Sequence, residues 1–185
     1  MNGRTILASV ALSLFLGGTT RAQDDGRAEL TAKELAQFKP IAAGIQAADI
    51  LTLYEGLPHQ NIEADKLKQE LANKQTIRIH EFPFYKRPLP VKQDDIEPLR
   101  QLAAAANSYW SAEGAEAKLC GGFHPDYCLS WTAGDATYEL LICLGCQEMR
   151  LYGPRLELHL DIRDDAYESF AGRLKKYHDQ RPPRK

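Results

Sequence analysis

Tyr127-Cys-Leu-Ser-Trp-Thr-Ala-Gly-Asp-Ala-Thr-Tyr-Glu-Leu-Leu-Ile-Cys143 is the stretch that decides the fold. Tyr127 to Thr132 and Thr137 to Cys143 are short runs rich in apolar and aromatic residues. Ala133-Gly134-Asp135 between them is tight-turn chemistry, so the pair reads as two strands of one hairpin. The same rhythm continues downstream. After an interruption at Leu144-Gly145, Glu148 to Tyr152 reads as a strand, Gly153-Pro154 as a turn and Glu157 to Asp161 as a last strand. Strands joined this closely pair antiparallel, because a parallel pairing needs a long crossover. The second half is therefore expected to be an antiparallel meander. Asp161 or Asp164 caps a C-terminal helix in which Tyr167, Phe170 and Leu174 form the buried stripe.

Upstream, helix and strand alternate. Thr31-Ala-Lys-Glu34 has capping-box spacing. Leu35, Phe38, Ile41, Ala42 and Ile45 follow at helical spacing, with Pro40 expected to break or kink the helix. Ile50 to Tyr54 reads as a short buried strand, and Gly56-Leu-Pro58 as its exit turn. Glu63 to Asn73 is a predicted helix with Leu67 and Leu71 on one face. Thr76 to His80 alternates with the strand period. This strand-helix-strand unit, 50 to 80, offers a parallel pairing. Phe82 to Pro90 holds three prolines and is an extended connection or sheet edge. Asp94 or Asp95 starts a helix that runs to about Trp110, and Ser111 to Lys118 is a polar loop. The class is α+β: a mainly antiparallel sheet, the C-terminal meander at its heart, with helices packed on one face.

The N-terminus has the order of an export signal: Arg4, the uncharged apolar run Ile6 to Gly18, then Thr20-Arg21-Ala22 with small residues where a signal peptidase cuts. The run is about 13 residues, against the roughly 20 of a membrane span. Cleavage before Gln23 leaves 163 residues (185 − 22) and moves the net charge from −2 to −4, since Arg4 and Arg21 leave with no acid. An acidic surface argues against nucleic-acid binding, and no transmembrane helix remains after cleavage. The expected organisation is a signal peptide at 1–22, a polar segment and helix at 23–47, one domain at 48–178, and a disordered basic tail at 179–185. The expected destination is the periplasm or the extracellular space.

All four cysteines fall between Cys120 and Cys146. Cys120-Gly-Gly-Phe-His-Pro-Asp126, Leu141-Ile-Cys-Leu-Gly-Cys146, Tyr54-Glu-Gly-Leu-Pro-His59 and Phe82-Pro-Phe-Tyr85 resemble the motifs of a group of uncharacterised exported proteins of environmental bacteria. The resemblance spans roughly residues 48 to 177. It implies no catalytic residue, ligand or partner. It does imply that Cys120, His124, Cys143 and Cys146 belong together and sets Cys128 apart, against a simple two-disulfide scheme.

Four cysteines allow three pairings. An exported chain favours disulfides without further chemistry. Gly145 permits a bulge that brings Cys143 to Cys146; a bridge from Cys120 to either of them is the other option. Alternatively, Cys120, His124, Cys143 and Cys146 converge as a Cys3His set, for which zinc is the fitting cofactor. A redox Cys-x-x-Cys normally opens a helix, whereas Cys146 leads into a strand.

Other candidates have plainer readings. Glu55 and His59 stand beside a strand exit, where a capped turn is the simple account. Phe82, Phe84, Tyr85, Tyr109 and Trp110 suit the edge of a core better than a ligand groove. Asp161, Asp164 and Asp165 lack calcium-loop spacing and suit a helix start. Lys175, Lys176, Arg181, Arg184 and Lys185 suit a solvated tail. The leading function is an exported, non-enzymatic binding or envelope-associated module stabilised by its Cys/His cluster. The alternative is a metal-dependent or thiol-based enzyme at that cluster.

Overall fold

The computed structural model describes residues 27–113 and 121–183. The expected signal segment, Cys120 and most of the acidic loop lie outside the described residues. Elements run α1 (Ala32–Ala47), β1 (Ile50–Glu55), α2 (Ala64–Asn73), β2 (Thr76–Ile79), β3 (Phe82–Tyr85), α3 (Gln93–Ala104), β4 (Tyr109–Ser111), β5 (Tyr127–Ala133), β6 (Ala136–Cys143), β7 (Glu148–Gly153), β8 (Leu156–Ile162) and α4 (Asp164–Leu174).

The fold is α+β. One six-stranded sheet has the order β1-β5-β6-β7-β8-β4, and every neighbouring pair is antiparallel. Strands β5 to β8 form the meander. Gly134, at φ +56°, and Asp135 make the β5–β6 turn, and Pro154-Arg155 closes the Gly153↔Leu156 pair. Register follows from the alternation of side chains. Leu53, Leu129, Leu140, Leu151 and Leu158 stand opposite one another across five strands on one face. A slip of one residue would turn that row to the other side.

Helices α1, α3 and α4 bury that leucine row. Thr31 and Glu34 close the capping box of α1, as their spacing predicts. The helix runs on through Pro40. Pro40 is exposed, and burial of Phe38, Ile41 and Ile45 on the opposite face outweighs the missing hydrogen bond. Helix α1 thus packs into the larger of the two core clusters. The other sheet face is partly covered by the β2–β3 hairpin, where Ile79 and Phe84 pack on Cys128, Leu141 and Tyr152.

Four expectations are corrected. The 50–80 unit does not pair in parallel: β1 joins β5 and β2 joins β3, both antiparallel. Helix α2 has no buried residue, and Leu71 is 48% exposed. Helix α3 stops at Ala104, and Tyr109 and Trp110 enter the edge strand β4. Neither Asp161 nor Asp164 caps α4: Asp161 is a buried residue of β8, the N-cap position is Arg163 with no side-chain cap bond, and Asp164 and Asp165 are acids of the first turn.

The C-terminal stretch is also not a free tail. After a 3-10 turn at Lys175–Tyr177 it returns along the exit of β1. There Arg181 is only 8% exposed. A polar, proline-bearing end reads as disordered, yet here it supplies partners that buried carboxylates need.

Candidate functional site

The exit of β1, the entry of β5 and the exit of β6 meet at one corner, and three of the motifs singled out in the sequence meet with them. Gly56 donates its N–H to Asp126 O at 2.8 Å, and Leu144 N–H donates to Asp126 Oδ2 at 2.7 Å. His124 Nε2 donates to Leu57 O at 2.7 Å. The fourth motif closes the side, with Leu57 N–H donating to Pro83 O and Gly56 bridging Phe84. Gly56 is obligatory here, since a Cβ at this position would overlap Pro125 O.

Two imidazoles lie within this knot, with ring centres 4.7 Å apart. His59 Nδ1 accepts N–H bonds from Asn61 and Ile62 and so caps its own turn. Its Nε2 must then carry the proton when the ring is neutral. His124 has the same tautomer: Nε2 is the donor to Leu57, and Nδ1 is the bare lone pair. Both remaining nitrogens, His59 Nε2 and His124 Nδ1, are buried without a hydrogen-bond partner. Burial pushes the His124 pKa down to about 4, helped by the Arg181 guanidinium and opposed by Asp126.

The acids of the corner are held by the C-terminal strap. Glu55 accepts from His178 Nδ1 at 2.6 Å and from the N–H groups of Asp179 and Gln180. Arg181 donates through Nε to Gly56 O at 2.9 Å and through Nη1 to Asp126 Oδ1 at 2.7 Å, a buried pair. Its Nη2 is buried and unpartnered. Beside these groups opens a cleft of about 600 Å³, lined by Glu55, Asp126, Tyr127, Leu144, Tyr167, Lys175 and Arg181 among others.

The cysteines divide. Cys128 and Cys143 are free and buried. Burial raises the thiol pKa of both; at Cys143 the backbone N–H groups of His124 and Cys146 pull the other way but do not win. Cys146 is not a free thiol; its Sγ lies 3.9 Å from Gly122 O. The structure therefore brings His124, Cys143 and Cys146 to one corner, while Cys120 lies outside the described residues. Among the described residues no three His, Cys, Asp or Glu side chains form a metal-holding group.

The remaining candidates scatter. Phe84, Tyr85 and Tyr109 are core residues, Phe82 packs edge-on to Phe123, and Trp110 lies under Arg163 at the far edge, so these aromatics share no groove. Sequence reasoning missed His178 and placed Arg181 in a solvated tail, where the structure buries it. No periodicity marks them, because a strap held by side chain-to-backbone bonds has no repeat to detect. The only available signal was Glu55, an acid on a strand expected to be buried, which requires partners from somewhere. No family model, curated protein or solved structure matches the chain.

Proposed function

We propose that this protein is an exported, non-enzymatic binding module, and that the cleft beside the C-terminal strap is its binding site. One observation carries the reading: the cleft is lined from three motifs far apart in sequence, through Glu55, Asp126 and Leu144, and from the strap. Its volume is within the roughly 300–1,000 Å³ of small-molecule sites. Polar groups on a mostly apolar wall are what such sites use to orient a ligand.

The enzyme alternative gives the chemistry to the Cys/His corner. Cys143 is poorly suited to it. The thiol is 3% exposed, and burial holds it protonated; reactive cysteines are accessible and have lowered pKa values. Export rests on the order of charge, apolar run and small residues in residues 1 to 22.

The test is a screen of small fragments against the mature chain, read by amide chemical shifts. Hits should cluster on Tyr127, Leu144, Gly145 and Tyr167. Fragment shifts confined to other surfaces, or a turnover activity abolished by Cys143→Ser, would overturn the reading.

A further inference from the structure

The cleft's charged groups are not equally spent. Glu55 already takes three hydrogen bonds from the strap, and both oxygens of Asp126 are bonded, one to Arg181 and one to Leu144 N–H. An incoming cation would find its carboxylates occupied. The cations differ. Lys175 is exposed at the cleft and has no ion-pair partner among the described residues, whereas Arg181, in the cleft wall, is engaged by Gly56 O and Asp126 and its Nη2 is buried. The uncommitted charge open to the cleft is therefore the positive, hydrogen-bond-donating ammonium of Lys175. Tyr127, Tyr167 and Leu144 supply the apolar and aromatic wall beside it.

We propose that the cleft takes a small organic acid with an aromatic or apolar body, its carboxylate drawn to Lys175. The inference rests on the binding reading above and names the ligand chemistry of the same site. A carboxylate matches the donor that is left over, and it leaves the Glu55 and Asp126 bonds intact. A flat apolar body matches two tyrosine rings better than a heavily hydroxylated one. Burial of the body and not the ion pair supplies most of the affinity, because Lys175 is open to water.

Benzoate and phenylacetate are the probes, with benzamide and benzylamine as neutral and cationic matches of the same shape. Each is titrated into the intact mature chain at low salt, with amide shifts as readout. Benzoate is expected to perturb Leu144, Gly145, Tyr167 and Lys175 and to bind at least about threefold more tightly than benzamide. Lys175→Gln should erase about a three- to fivefold preference for the acid, as expected for one exposed ion pair, and leave benzamide unchanged. Lys175 is a surface residue, so this variant keeps the fold. Equal or tighter binding of benzamide or benzylamine at the cleft overturns the anion assignment and leaves the binding reading standing. Failure of every probe to perturb the cleft overturns the anion assignment, and a failed fragment screen as well would sink the binding reading with it.

Discussion

His124 is held neutral by its surroundings. Arg181, Asp126, His59 and the Leu57 carbonyl all face it, and burial dominates. The sign of the consequence follows from linkage. In the unfolded chain the ring protonates near pH 6.5; in the folded chain it does so near pH 4. Between those values the unfolded chain binds more protons, so stability is full above about pH 6.5 and falls as the pH drops toward 4. The loss has an upper bound of about 3 kcal/mol at 1.36 kcal/mol per unit. Asp95, whose burial is outweighed by Lys176, Tyr177 and Arg173, is held below its usual range and loses its contribution only at lower pH. Urea midpoints from pH 7 to 4 check this; His124→Gln should flatten the slope, and an unchanged slope would count against the assignment. Gly56 makes a second test at this scale. Ala there meets the Pro125 carbonyl, and such overpacking costs about 1–3 kcal/mol. Its His59 neighbour shows how far a single residue is legible: the capped turn was readable from Gly-Leu-Pro-His, but the orphaned Nε2 was not, because it depends on what packs across the corner.

Elements were legible in proportion to how local their cause is. The capping box of α1 and the two-residue turns of the meander are written in adjacent residues; the box and the Gly134-Asp135 turn occur where expected, and the second turn falls one residue later, at Pro154-Arg155. Helix α2 shows the reverse. Leu67 and Leu71 have the right spacing for a buried face, but spacing only says that a face exists, not that something covers it. Leu71→Gln should therefore change stability by no more than about 0.5 kcal/mol, the range of ordinary surface substitutions. The strap carries the opposite expectation. A solvated tail would tolerate Arg181→Ala without cost. The buried Arg181–Asp126 pair instead predicts a loss of about 3–5 kcal/mol, since removal of one partner leaves the other charge buried alone. Denaturant melts of the two variants side by side separate the accounts: an Arg181→Ala protein as stable as wild type would return the strap to the status of a tail.

At the scale of the molecule, the class was legible and the long connections were not. Short strands and turns imply an antiparallel sheet, but nothing in residues 50 to 55 says that β1 crosses more than seventy residues to join β5. The same non-local closure governs the cysteines. Among the described residues Cys128 and Cys143 are free thiols and Cys146 is not, so the pairing we propose is Cys120 with Cys146. We predict that the exported chain starts near Gln23 and carries this one disulfide. It closes a loop of 27 residues (146 − 120 + 1). Loop closure of that length stabilises by about 3–4 kcal/mol in the chain-entropy account. Intact mass of exported protein should lack residues 1 to 22. Thiol titration should find almost none reactive in the native state and two after unfolding, because Cys128 and Cys143 are enclosed in the sheet. Peptide mapping should place the crosslink between Cys120 and Cys146. Four thiols after unfolding, or a Cys143–Cys146 crosslink, would refute the pairing. A retained N-terminus would refute only the export boundary, since the disulfide prediction stands on which of the described cysteines are free.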